Sequence, residues 1–204
     1  MSIVDRAKNI LMKPADEWNV ISAEPATVGG LFTGYAMILA LIPAVVGLLA
    51  ALVLGAAMSQ YMGGAMAELT IGTLLTQTVI GYVFGLFLVL VMGYLVSAVS
   101  PSFNGRQDLV QAAKLMVYSG TAAWVSSLFL IIPLLGVLIY FGGLAYAVYL
   151  IYLGLHPVMG VPKEKVAGMT VVVILAYIVG AVVFYLIQQS LTGFGAMNAG
   201  MAGA

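Results

Sequence analysis

The 204 residues are 63% hydrophobic and 7% charged, with seven Lys plus Arg against seven Asp plus Glu and a formal net charge of zero, and the mean hydropathy is +1.15. Soluble domains hold about 45–50% apolar and about 25% charged residues, so this composition excludes a soluble domain and indicates a polytopic membrane protein. Zero net charge argues against nucleic acid, which needs a concentrated basic surface, and the absence of cysteine excludes disulfides, thiol catalysis and thiolate metal sites.

Residues 1–27 carry Asp5, Arg6, Lys8, Lys13, Asp16, Glu17 and Glu24 and no apolar run of signal-peptide type, which predicts a retained cytoplasmic interfacial segment. Within it Ile3, Ala7, Ile10 and Leu11 fall at helical spacing opposite Asp5, Arg6, Lys8 and Asn9, predicting a short amphipathic helix over 2–13. Lys13-Pro14-Ala15-Asp16-Glu17-Trp18 predicts a helix restart, because proline suits the first helical position and acidic residues suit the positive end of the helix dipole. Trp18, with an apolar ring and one donor, is expected at the headgroup level. A lead-in packed under the bundle is favoured over an anchor that senses lipid packing.

The membrane domain is predicted over 28–187. Its first span covers about 28–58, more than the ~20 residues a perpendicular crossing needs, with a kink expected at Pro43, a defect that neighbouring helices can satisfy. A loop over 59–70 carries Gly63, Gly64 and Glu68, and Glu68 reads as a solvated acid on the outer side. The second span covers about 71–99, followed by a loop from Ser100 to Asp108 with Pro101, Asn104, Gly105 and Arg106, and a helix start expected near Gly105 runs on into the next span. From Leu115 to Leu155 no side chain is formally charged; at about 1.5 Å per residue this is about 61 Å of helix, twice the bilayer core. Pro133-Leu134-Leu135-Gly136 sits at its midpoint, which predicts two spans, about 115–134 and 136–155, joined by a tight turn. A polar stretch from His156 to Val166 leads to a fifth span, about 167–187, and a flexible tail over 188–204. The fold class is therefore all-α, with five transmembrane helices after a short amphipathic one. This threading puts all seven Lys and Arg residues on one side, so the amino terminus is expected in the cytoplasm and the carboxy terminus outside.

Intramembrane ionisable groups are the usual mark of a transport pathway, and no predicted span holds one well inside it, which weighs against proton-coupled transport and ion pumping. With one histidine, no cysteine, and Glu68 and Glu164 on opposite sides, no metal site, catalytic residue or cofactor is expected. Thr73, Thr76, Gln77 and Thr78 form a candidate polar path, and Ser119, Thr121, Ser126 and Ser127 are further polar groups, although hydrogen bonding between helices is the commoner use of such residues. Small residues recur at four-residue spacing in Gly30/Gly34, Gly47/Ala51/Gly55, Gly81/Gly85, Ser119/Ala123/Ser127 and Gly143/Ala147. Such faces let helices approach closely and raise the expectation of a tight bundle that self-associates. Tyr149 and Tyr152 fall near one membrane boundary, Tyr140 and Phe141 near the other.

The chain resembles the Yip-domain family of Ypt/Rab-interacting membrane proteins, specifically its short prokaryotic branch. The residues that carry the resemblance are Lys13-Pro14 with Trp18, the stretch from Gly105 to Ser119, the turn Pro133-Leu134-Leu135-Gly136, and Tyr152-Leu153-Gly154-Leu155 followed by Met159-Gly160-Val161-Pro162-Lys163-Glu164-Lys165. The resemblance implies a five-helix domain with a cytoplasmic amino terminus in the bacterial inner (plasma) membrane, in a family tied to vesicle trafficking, GTPases and membrane shaping. The chain lacks the Asp-Leu-x-Gly-Pro motif that longer relatives carry ahead of the membrane domain, which puts GTPase binding in doubt.

The expected function is a non-enzymatic integral membrane scaffold or membrane-organising protein that holds lipids or protein partners. Trp18, Arg106, Lys114, His156, Lys163 and Lys165 are the expected contacts on the cytoplasmic face. A small-solute transporter or channel using the Thr73–Thr78 cluster, and an accessory subunit of a larger membrane complex, are the alternatives.

Overall fold

The computed structural model describes residues 1–61, 71–132 and 134–202, with the backbone alone at 54–61 and 189–202. Glu68, with its neighbours Gly63 and Gly64, and Pro133 lie outside the described residues. Helix α1 (Ile3–Met12) is capped by the Ser2 hydroxyl, which accepts from the Asp5 amide, and α2 (Pro14–Ala23) opens with proline at its first turn, as the sequence pattern requires. Thr27 caps α3 (Val28–Leu31), which runs through a π-helical turn, Phe32–Ala36, into α4 (Met37–Tyr61). Helix α5 (Ile71–Val99) ends in a 3-10 turn, Ser100–Phe103, closed by Asn104 in the left-handed conformation at φ 61°. The Asp108 carboxylate caps α6 (Leu109–Ser126), which tightens into a second 3-10 turn, Ser127–Ile131. Helices α7 (Leu135–Met159) and α8 (Lys163–Ala202) complete the chain.

Among the described residues there is no strand, and five stretches are long and apolar enough to cross a membrane: Val28–Val53, Ile71–Phe103, Leu109–Ile131, Leu135–Met159 and Lys163–Gln188. Helix α6 begins at Leu109, a turn after the start expected near Gly105, and takes Lys114 into its second turn. The boundaries differ from the sequence pattern in two places. Helix α7 carries His156 and Pro157 in its last turn and stops only at Gly160, whose φ of 69° is the left-handed position glycine adopts without a Cβ penalty. Helix α8 continues to Ala202, into the segment expected as a flexible tail.

Helix α6 is the hub. Its buried residues include Ala112, Ala113, Leu115, Met116, Val117, Ser119, Thr121 and Ala122, and it packs against α4, α5 and α7. Gly143 explains how closely α7 approaches: a Cβ there would come within 2.9 Å of the Ala122 carbonyl and closer still to the Ser126 side chain. At the hairpin the strained residue is Leu134, at φ 62°, while Gly136 is required for a different reason, since a Cβ on it would collide with the Phe129 carbonyl. The exterior is apolar: Val79, Val83, Phe87, Leu138, Phe141, Leu175 and Val179 are all more than half exposed. A belt of that kind is stable only in lipid.

Candidate lipid-facing site

Among the described residues the charged side chains gather at one end of the bundle, and their arrangement starts from α1. Its apolar face turns Arg6 inward as well as Ile10, leaving the arginine 6% exposed. The guanidinium donates to the Glu17 carboxylate on α2 and to the Glu24 carboxylate just beyond it, and lies 5.5 Å from the centre of the Tyr118 ring on α6. Burial opposes the charge on Arg6, but the hydrogen bond and charge of Glu24 outweigh it and hold its pKa above the ordinary value. The α6 side chains finish the clamp. Lys114 Nζ donates to the Ile21 and Glu24 carbonyls at 2.8 and 2.5 Å, and Gln111 Nε2 to the Ser22 carbonyl at 3.0 Å, satisfying orphan acceptors at the end of α2. From α7, the Tyr146 hydroxyl donates to the Leu11 carbonyl at 2.8 Å.

Two expected surface contacts are therefore internal. Trp18 is fully buried inside the protein and presents no surface to headgroups. Its ring sits against α7, where a Cβ on Gly154 would come within 2.8 Å of it and 2.5 Å of Leu115 Cδ1. Lys114 is 2% exposed, its ammonium spent on backbone carbonyls, so it is not available to a lipid. The physical reason is the same for both: α1 and α2 lie folded under the bundle and cover them.

The remaining cations are brought together. The Arg106 amide donates to the Met159 carbonyl at 2.8 Å, which pins the α5–α6 connection to the end of α7. Gly105 must be glycine there, because a Cβ would meet Ser100 Oγ, Val161 Cγ2 and the Met159 carbonyl. A Cβ on Gly160 would lie 3.5 Å from Arg106 Nε, so the exposed Arg106 side chain lies along the turn that leads into Lys163 and Lys165. Among the described residues ion pairs are made by Arg6, and none by Arg106, Lys163 or Lys165. His156 belongs to this rim through a 2.8 Å contact of Nδ1 with the Val161 carbonyl. A carbonyl only accepts, so Nδ1 is the donor in this contact.

Beside this rim a groove of about 360 Å³ is lined by Asn19, Tyr152, His156 and Lys163 together with Ala15, Leu153, Pro157 and Val166. It joins an ammonium, an imidazole and a phenol to an apolar floor, the combination that accepts a phosphate on one side and a lipid's hydrocarbon on the other. Asn19 was not legible as a site residue, since its place depends on how α2 docks.

The candidate polar path is divided. Thr73 and Thr76 lie on the exposed side of α5, and Thr76 and Thr78 donate to carbonyls of their own helix, Gly72 and Leu74, at 2.9 Å. Gln77 and Thr78 join Pro43 in the wall of a 340 Å³ cavity between α4 and α5, whose other residues are mostly Gly, Ala and Leu. Among the described residues no group of three His, Cys, Asp or Glu could hold a metal.

A family model described as Yip1 domain matches residues 8–186. No curated protein and no solved structure matches the chain.

Proposed function

The chain belongs to the Yip1-domain family, and from that premise we propose that it is a non-enzymatic scaffold of the bacterial inner membrane that holds anionic lipids at its cytoplasmic face. The observation that supports this most is the rim of Arg106, Lys163 and Lys165, free of ion pairs among the described residues, beside the groove that carries His156. Each cation near an anionic surface contributes about 1 kcal/mol, so the three together bias the lipid shell strongly. Neutralising all three to glutamine should strip anionic lipid from the purified protein, read by lipid analysis after mild detergent extraction. Protein partners and self-association belong to the same reading.

The orientation carries a separate prediction. With the amino terminus cytoplasmic, the turn between α6 and α7 emerges outside, because each arm of that hairpin is long enough for a full crossing. A cysteine at Leu135, which is 54% exposed, should react with an impermeant thiol reagent added to intact cells. Protection there, with labelling only after the cells are opened, would mean a hairpin that dips in and returns, or the reverse topology.

A further inference from the structure

A cavity of about 420 Å³ opens between α1, α6 and the start of the first span, within the about 300–1,000 Å³ typical of ligand sites. Its floor is the first two turns of a membrane-crossing helix. Gly30 and Gly34 line it and are exposed, in a span that begins at Val28. Gly34 and Tyr35 belong to the π-helical turn Phe32–Ala36, an irregularity that recurs at functional sites. Ile3, Ala26 and Leu31 add apolar wall. A groove so placed accepts hydrocarbon along the span and a polar group ahead of it.

The polar end selects the ligand. Glu24 stands just ahead of the span, lines the cavity, and has a side chain 41% exposed. One of its oxygens accepts from Arg6, while the other has no hydrogen-bond partner among the described residues. A carboxylate only accepts, so what that oxygen lacks is a donor. The cluster behind it is neutral, since Arg6 and Lys114 balance Glu17 and Glu24, and it offers an anionic headgroup no net attraction. A zwitterionic lipid that turns its ammonium toward Glu24 matches both facts. The ammonium of phosphatidylcholine carries no hydrogen, whereas that of phosphatidylethanolamine carries three and makes a charge-assisted bond.

We propose that this cavity holds one phosphatidylethanolamine, its ammonium donating to the free oxygen of Glu24 and an acyl chain lying along Gly30 and Gly34. The site is separate from the rim of Arg106, Lys163 and Lys165, none of which lines this cavity, so it does not depend on the anionic-lipid reading.

The test uses the full chain in nanodiscs of equal phosphatidylethanolamine and phosphatidylcholine with identical acyl chains, released by mild detergent and weighed by native mass spectrometry. One phosphatidylethanolamine should be retained per chain, preferred over phosphatidylcholine about tenfold, the worth of a hydrogen bond to a charged group. Glu24→Gln keeps a carbonyl for Arg6 and removes the charge, and should erase that preference. Gly34→Leu leaves the clamp untouched and enters open space, since a Cβ there would meet nothing within 4 Å; it should abolish retention at a wild-type melting temperature. The Arg106→Gln, Lys163→Gln, Lys165→Gln variant should retain the lipid in full. Equal retention of the two lipids by the wild type, an unchanged preference in Glu24→Gln, or undiminished retention in Gly34→Leu would overturn the proposal. So would loss of the bound lipid in the triple variant, which would place it on the rim, or its displacement by phosphatidylglycerol, which would mean that the cavity selects for negative charge.

Discussion

Replacing Arg6 with methionine should release the amino-terminal helix pair from the bundle and lower stability by about 3–5 kcal/mol, the cost of leaving a buried charge without its partner. The stranded charge is Glu17, 5% exposed; Glu24, with a side chain 41% exposed, can turn to water. Two readouts follow. Unfolding in detergent should shift to lower denaturant, and trypsin should cut after Lys8 in conditions where the wild type resists. Arg6→Met combined with Glu17→Met should recover most of the loss, because two apolar side chains need no compensation. If the single substitution left stability and proteolysis unchanged, the clamp would not hold α1 and α2 in place.

Trp18→Ala should cost a similar amount, about 3–5 kcal/mol, by leaving a cavity among fully packed neighbours. Trp18→Phe separates this reading from an interfacial anchor. The indole nitrogen is buried without a hydrogen-bond partner, so phenylalanine loses some contact area but also removes an unmet donor, and should cost less than about 1.5 kcal/mol. An interfacial tryptophan would behave the other way, tolerating alanine in stability measurements while losing its headgroup bond with phenylalanine. Thermal unfolding of the two variants in the same detergent decides between them.

The contrast between Trp18 and the five spans shows where the sequence was readable. The spans follow from the length of apolar runs and from seven cations that fall between them, and neither quantity depends on tertiary contacts. The start of α2 at Pro14 was equally local. The amphipathic pattern of α1 was right in its period, yet Arg6 on its polar side is buried, because the carboxylates that receive it come eleven and eighteen residues later. Lys114 looked like a membrane fence for the same reason: the carbonyls it caps belong to residues about ninety positions earlier. The π-helical turn at Phe32–Ala36 has no signature in composition. His156, Lys163 and Arg106 were identified as charges on one side of the membrane, while their assembly into a single rim rests on the Arg106–Met159 hydrogen bond and on Gly105 and Gly160.

With Trp18 and Lys114 withdrawn into the interior, the lipid-facing reading narrows to Arg106, Lys163, Lys165 and His156. That makes it sharper, since the three permanent cations can be removed without touching the clamp. Nanodiscs of equal phosphatidylglycerol and phosphatidylcholine allow a direct measurement of the lipids that remain bound when the protein is released by mild detergent. The wild type should retain phosphatidylglycerol in excess, with the excess lost as salt is raised toward the molar range, where the screening length falls to about 3 Å. The Arg106→Gln, Lys163→Gln, Lys165→Gln variant should return the retained lipid to the bulk ratio while melting at the wild-type temperature. An equal excess in wild type and triple variant, at any salt concentration, would contradict the proposal that this rim holds anionic lipid.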